Sequence, residues 1–435
     1  MQTKTRSPNQ ALGPHSTAPA AERAYLVAVE TRGGRDGLGA EASLDELALL
    51  ARTAGAEVAG RAIQRLRTPN PATYIGKGKL EEIVAEREAA GYTLVLFDDE
   101  LSPSQQRNLE KALGVKVLDR TALIIDIFAR RAQTREARLQ VELAQSQYLL
   151  PRLAGQWSHL ERLEGRIGTR GPGETQIETD RRLVRNRITR LRREIESVRQ
   201  QRALHRRRRS RQGMQVVALV GYTNAGKSTL MHALSGADVL TEDLLFATLD
   251  PVTRRIRLPS GADALLSDTV GFIQKLPTHL VAAFRATLEE LADADVLVHL
   301  VDVTHPDAAE QHATVERTLA DLGLADKPRV VAFNKVDLLA GPQGQRGALE
   351  DIERSLLAQE PGTPIVLSLP ALSSAEGSKG APPDQKAWFD KLTTNVSGTQ
   401  QAVLISAARR WNLEALLKAI ERELQAVRAA GRATA

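Results

Sequence analysis

The run Gly221-Tyr222-Thr223-Asn224-Ala225-Gly226-Lys227-Ser228-Thr229 decides the fold. An apolar, strand-like segment, Val216-Val217-Ala218-Leu219-Val220, precedes it, and a helix-compatible segment, Leu230-Met231-His232-Ala233-Leu234, follows. Strand, glycine-rich loop and helix form the context of a phosphate-binding loop. The glycines let backbone N–H groups turn inward around phosphate oxygens, and the helix N-terminus adds partial positive charge. Lys227 is then expected to reach the outer phosphates and Ser228 to hold a magnesium ion. The alternative is an ordinary glycine-rich turn, which does not require the full GxxxxGKS pattern.

Asn334-Lys335-Val336-Asp337 lies about 110 residues further on, behind the apolar run Arg329-Val330-Val331-Ala332-Phe333. Guanine offers a ring N–H and an exocyclic amine along one edge, and the Asp337 carboxylate accepts from both. Adenine would set a ring acceptor against that carboxylate, so the pattern reads as guanine-specific. Asp268-Thr269-Val270-Gly271 follows the strand-like Ala264-Leu265-Leu266-Ser267. Asp268 suits magnesium through water, and the Gly271 N–H suits the γ-phosphate. Phe246-Ala247-Thr248 lies between the loops; Thr248 is expected to join Ser228 on magnesium when the γ-phosphate is present. An ordinary loop threonine is the alternative. Lys227, Thr248 and Gly271 are thus the candidate catalytic residues. Ser406-Ala407-Ala408, after Ala402-Val403-Leu404-Ile405 and before an amphipathic segment from Asn412 to Leu424, is expected to give N–H groups to the guanine carbonyl.

The chain has 435 residues, enough for two or three domains. It has no cysteine, which excludes disulfides and thiolate metal sites and fits a reducing cytoplasm. No apolar run reaches the ~18 residues of a membrane span. Residues 181–211 hold 14 Arg, no Lys and two acids, so this segment carries the whole basic character of a chain whose net charge is +6. A solvated helix face would mix signs; this excess favours a nucleic-acid backbone. Arg206-Arg207-Arg208-Arg209 is its densest part.

The predicted fold class is α/β: a P-loop nucleotide domain preceded by a small α/β domain and a long antiparallel helical hairpin. Residues 1–20 read as a polar tail and 21–118 as alternating strands and helices. In that domain Ser43 and Glu46 look like a capping box. The loop Asn70 to Lys79 reads as a structural turn, with phosphate binding the alternative. Residues 119–212 read as two helices with heptad seams. The first seam is Leu123, Ile127, Arg130, Thr134, Ala137, Val141, Ala144 and Tyr148. The second is Val184, Ile188, Leu191, Ile195 and Val198. Between them the glycine-rich tip, 151–179, is expected to be non-helical. Trp157 and His159 suit base stacking there, with local packing the alternative for Trp157. Residues 213–425 read as the nucleotide domain with an insertion near 370–400, and 426–435 as a tail.

Gly171-Pro172-Gly173-Glu174-Thr175-Gln176-Ile177-Glu178-Thr179-Asp180-Arg181-Arg182, the arginine-rich helix, the GYTNAGKST loop and DTVGF together resemble the HflX family of ribosome-associated GTPases, over roughly residues 24 to 425. Ala72 to Lys79 is similar to that family's N-terminal domain. The resemblance implies a factor that binds GTP and GDP, associates with the large ribosomal subunit and splits idle or stalled ribosomes. It also implies that the hairpin tip approaches the peptidyl-transferase region. A GTPase switch on other RNA, in ribosome assembly or RNA modification, is the alternative. The family usually continues Ser-Ala with Lys and glycines; here Ala408-Arg409-Arg410 follows. Phe272 stands where Ras-like enzymes carry a water-orienting glutamine, so turnover alone should be slow. Asn224 in GxxNxGKS resembles potassium-dependent GTPases, which makes K⁺ a candidate beside Mg²⁺; shaping the loop is the other reading of Asn224. The free protein is expected to be a cytoplasmic monomer.

Overall fold

Ala24-Tyr25-Leu26-Val27-Ala28 is an unbroken apolar run, and it is the buried centre of strand β1 (Arg23–Thr31). Such runs suit strands covered on both faces, as in parallel sheets. Here β1 pairs in parallel with β2 (Glu57–Leu66) and β3 (Leu94–Phe97), and β3 with β4 (Lys116–Asp119), in the order β2-β1-β3-β4. Helices α1 (Ala40–Thr53), α2 (Lys77–Ala85), α3 (Arg87–Ala90) and α4 (Pro103–Leu113) connect these strands. The structure, a computed structural model, describes residues 22–31, 39–156, 172–211, 214–236, 245–246, 249–250, 252–275, 291–339 and 401–433, with the backbone alone at 154–156, 172–177, 202–211 and 431–433.

The second sheet is the larger. Strands β5 (Gln215–Gly221), β7 (Asp263–Asp268), β8 (Val296–Asp302), β9 (Arg329–Asn334) and β10 (Gln401–Leu404) are parallel, and β6 (Val252–Arg257) returns antiparallel to β7. The order β10-β9-β8-β5-β7-β6 reverses direction at β5. An α/β sheet binds ligands in the crevice beyond the strand ends at such a reversal. The phosphate-loop sequence begins there, between β5 and α8 (Lys227–Ser235). Helices α9 (Ala308–Asp321) and α10 (Leu413–Ala433) pack on the sheet. The last of these corrects the expected tail: residues 426–433 continue α10.

The segment expected as one long helix is two, α5 (Arg120–Arg131) and α6 (Arg135–Gln156). The break is bonded from a distance. The Asp250 carboxylate accepts the N–H groups of Gln133 and Thr134 at 2.8 and 3.1 Å, and the Thr134 hydroxyl caps Ala137 N–H at 3.2 Å. Orphan donors at a helix start need such partners. The seam Ala137, Val141, Ala144 and Tyr148 does not face the second long helix, α7 (Pro172–Arg211). It joins the apolar cluster around β1 and α5. Leu139 and Leu143, on the adjacent face of α6, meet Ile188 and Leu191 of α7. Ion pairs Glu142–Arg187 at 2.7 Å and Arg135–Glu194 at 3.9 Å run in opposite senses along the two helices. The expectation of a non-helical 151–179 also needs correction: α6 continues through Pro151 to Gln156, and α7 starts at Pro172. Pro suits a first helical turn, where its missing N–H costs nothing. Trp157, His159 and the 370–400 insertion lie outside the described residues. No helix among the described residues is long and apolar enough to cross a membrane.

β8 and α9 bury a pair of imidazoles. His299 and His312 stack with centroids 4.7 Å apart and planes 10° from parallel; His299 Nδ1 lies 2.9 Å from Glu316 Oε1, and Arg329 holds Glu316 at 2.5 Å. With Glu316 these residues form a compact potential ligand set, but near-parallel rings aim their in-plane lone pairs side by side and not at one ion. The cluster reads as packing with an acid-sensitive consequence. Burial, and then His299, depress the His312 pKa to about 3 from an ordinary 6.5. Between those values the unfolded chain binds a proton that the folded chain does not, so stability falls as pH falls, by roughly 2 kcal/mol at pH 5. Burial would raise Glu316, but His299 and Arg329 outweigh it and hold the carboxyl at about 2. Its contribution is therefore lost only as pH drops below 4.5. Thermal unfolding of the wild type at pH 7 and pH 5 should show this loss, and His312→Gln should flatten it. Equal pH slopes in the two proteins would refute the assignment.

Candidate functional site

Gly226 holds φ +94°, and a Cβ there would sit 2.3 Å from Asn334 Nδ2. Only glycine allows that approach, which lets Asn334 Nδ2 donate to Ala225 O at 2.8 Å while its Oδ1 accepts from Ala407 N–H at 2.9 Å. One side chain thus ties the phosphate loop, the NKxD segment and Ser406-Ala407 into one unit. Lys335 takes φ +68° and pairs with Asp302 at 2.7 Å; the turn Val336–Leu338 then carries Asp337 half-buried at the rim. Ser406 is fully buried and its hydroxyl accepts from Arg409 N–H at 3.0 Å; Ala407 is buried and Ala408 exposed.

At the phosphate end, Lys227 Nζ donates to Gly221 O at 3.0 Å and Tyr222 O at 2.7 Å. Burial brings its pKa down to about 8, against the pull of Asp268. The Ser228 hydroxyl lies 2.8 Å from an Asp268 carboxylate oxygen. A hydroxyl and a carboxylate together are the oxygen donors a hard divalent cation takes. Thr269 is spent on structure, its hydroxyl donating to Leu219 O at 2.6 Å, and Val270 joins the apolar cluster. Gly271 lies against Thr223 and Lys227, where a Cβ would meet Thr223 Cα at 2.9 Å and Lys227 Nζ at 3.0 Å. Phe272 then bonds the phosphate loop on both sides: its N–H donates to Gly221 O at 3.1 Å, and its carbonyl accepts from Thr223 N–H at 2.7 Å.

Asn224 takes φ +62° at the mouth of the loop, while Ala225 and Thr229 follow the loop into α8. Phe246 is among the residues expected at the nucleotide. It is buried at φ +56°, edge-to-face with Phe128 of α5 at 4.6 Å, a contact worth about 1 kcal/mol beyond area burial. Ala247 and Thr248 lie outside the described residues. Arg206, Arg207, Arg208 and Arg209 fall on α7, where the backbone alone is described.

Sequence reasoning misses a second feature. Tyr222 reaches out of the phosphate loop to the N-terminal domain, its hydroxyl donating to Glu46 and accepting Gln274 N–H at 2.9 Å. Glu46 also binds Arg120, which holds Asp98 at 2.6 Å. Asp98 accepts from the Ser43 hydroxyl at 2.6 Å and pairs with Lys275, which also reaches Asp99 at 2.7 Å. The apparent capping box of Ser43 and Glu46 is therefore no cap: α1 begins at Ala40, and both side chains serve this network. A working capping box lies at Ser102 and Gln105 of α4. Burial pushes the Asp98 carboxyl up, with Lys275 opposing, and pushes the Tyr222 phenol up to about 12.

Three family models match in succession: a GTP-binding GTPase N-terminal region over 41–129, a GTP-binding GTPase middle region over 131–209, and a 50S ribosome-binding GTPase over 216–335. The GTPase HflX of Caldanaerobacter subterraneus subsp. tengcongensis is 54% identical over 318 residues, covering 73% of each chain. The chain belongs to the HflX family of GTPases. The HflX protein of Escherichia coli K12 is 43% identical over 82% of this chain and 79% of its own. A GTP-binding protein of Sulfolobus solfataricus crystallised with GDP covers 93% of this chain and 99% of its own at 23% identity and a TM-score of 0.43, too distant to bear on the argument. As an HflX-family member the chain is a GTP-binding GTPase.

Proposed function

We propose that this GTPase docks on the large ribosomal subunit and uses GTP to split idle or stalled ribosomes. The observation that carries the reading is α7. Its apolar seam, Val184 to Val198, faces Leu139 and Leu143, while Arg182, Arg185, Arg187, Arg190, Arg192, Arg193 and Arg199 are exposed. Exposed arginines along one helix suit bidentate contacts to an RNA backbone. With α6 this helix forms an antiparallel hairpin, 119–212, whose tip approaches the peptidyl-transferase region. The domain limits 21–118 and 213–425, a cytoplasmic location and a monomeric free state belong to the same reading.

Magnesium would be held by Ser228 and Thr248, with Asp268 through water, and would offset the negative charge of the outer phosphates. Lys227 orients those phosphates and Gly271 offers its N–H to the γ-phosphate. Asp337, with Asn334, Lys335 and Val336, holds guanine against Ser406, Ala407 and Ala408. Asn224, at the loop's mouth, is the candidate potassium ligand. Phe272 has no side-chain hydrogen bond to give an attacking water, so turnover waits on the ribosome.

Reversing Arg206, Arg207, Arg208 and Arg209 to Glu should weaken large-subunit binding at least tenfold. It should also flatten the salt dependence, each lost phosphate contact removing about 0.7 to 0.9 from the slope. GTP affinity should stay as it was, because these residues lie beyond the last seam residue, Val198, and outside the nucleotide loops, which begin at Gly221. Co-sedimentation with purified large subunits, with and without a non-hydrolysable GTP analogue, measures it. Unchanged binding and slope would overturn the proposal.

A further inference from the structure

The segment that follows the γ-phosphate glycine is fastened to the N-terminal domain. Phe272 is bonded to the phosphate loop at both its N–H and its carbonyl. Two residues later Gln274 N–H rests on the Tyr222 hydroxyl, which Glu46 of α1 holds in turn. Next, Lys275 reaches Asp98 and Asp99 at the end of β3. Both anchors converge on one guanidinium, because Arg120 joins Glu46 to Asp98. Lys275 takes φ +53°, a backbone conformation unfavourable for a non-glycine residue, so its contacts must hold it there.

We propose that Tyr222 and Lys275 are positioning residues through which the N-terminal domain sets the preference for GTP over GDP. The inference rests on GTP occupying the loop Gly221–Thr229. Gly271 lies against Lys227 and Thr223, with Lys227 Nζ turned onto the loop's own carbonyls. That space belongs to the outer phosphate. The β-phosphate of GDP stays within the loop and does not require Gly271 to move. A γ-phosphate enters between Lys227 and Gly271 and must draw Gly271 aside, against the anchors at Phe272, Gln274 and Lys275. The anchors therefore act on GTP and spare GDP. By linkage, whatever loosens them favours GTP, and bound GTP loosens the N-terminal domain by the same factor.

The test uses the full chain with Lys275→Gln, Asp99→Asn and Tyr222→Phe. Each is titrated with GDP and with a non-hydrolysable GTP analogue. Lys275 is partly exposed and Asp99 sits at the rim of the network, with Asp99 in the other domain from the nucleotide. The ratio of analogue to GDP affinity should rise about fivefold or more in Lys275→Gln and in the same direction in Asp99→Asn. Lys275→Arg, which keeps a cation between the two carboxylates, should restore the wild-type ratio. A residue that only supports the fold would lower both affinities together and leave the ratio alone. A ratio within twofold of wild type in both Lys275→Gln and Asp99→Asn, at an unchanged melting temperature, overturns the proposal. If Tyr222→Phe fails to fold, those two variants still decide. Failure of the GTP reading itself would show separately, as a wild type that binds neither nucleotide.

Discussion

Asp337→Asn should lower the affinity for GTP by about 10⁴-fold and admit xanthosine triphosphate in its place. On the proposed reading the carboxylate would accept two hydrogen bonds from the guanine edge. An amide in the same position turns one acceptor into a donor, which then faces the exocyclic amine of guanine. Xanthine carries a carbonyl there and accepts from that amide. The backbone has little room to adjust. Val336 N–H reaches Ile405 O at 3.4 Å, and Leu339 N–H closes on Val336 O at 3.1 Å, so Asp337 stays where the turn puts it. Competition among guanosine, inosine, xanthosine and adenosine triphosphates for the labelled site measures the effect. GTP affinity within tenfold of wild type would show that Asp337 does not face the base.

Gly226→Ala should abolish nucleotide binding, by a hundredfold or more, although the change adds one methyl group. That methyl has nowhere to go: its place lies 2.3 Å from Asn334 Nδ2, at a φ of +94° that an alanine strains to adopt. Asn334 must swing away and release both Ala225 O and Ala407 N–H. The phosphate loop then loses its register with the base-binding segment. The strain alone is worth about 2 kcal/mol, or roughly 4–8 °C in melting temperature for a domain of this size. Calorimetric titration with GDP and thermal unfolding measure the two effects. A variant that binds GDP as the wild type does would refute the role given to this glycine.

The nucleotide loops were legible in the sequence because their chemistry is local. Gly226, Lys227 and Ser228 must be consecutive to wrap a phosphate, and a strand must precede them. Asn334 and Asp337 are likewise set by a turn of fixed length. The link between Tyr222 and Glu46 has no such signature, since 176 residues separate the partners. Ser43 and Glu46 even mimic a helix cap, because a hydroxyl three residues before a carboxylate suits both tasks. The break between α5 and α6 was hidden for a similar reason. A carboxylate from Asp250, distant in sequence, supplies the partners that let the helix stop at Ala132. The heptad spacing of α6 was real, but spacing does not say which neighbour a stripe faces: Ala137 and Val141 meet the N-terminal core, and Leu139 and Leu143 meet α7.

One apolar cluster runs from Leu44 and Leu47 of α1 through Ile124 and Phe128 of α5 to Phe246, Val270, Phe272 and Ile273, and on to Val220 and Leu297 under the large sheet. It belongs to neither sheet alone. The boundary between N-terminal and nucleotide domains is therefore a division of sequence and not of cohesion. Exchanging one half for its counterpart from a relative would transplant a single face of a jigsaw. Phe128 and Phe246, or Ile273 and its neighbours, would have to travel together. A graft that ignored this would leave a greasy scar beside the phosphate loop, and the two halves of such a chimera would drift apart before the nucleotide could instruct either.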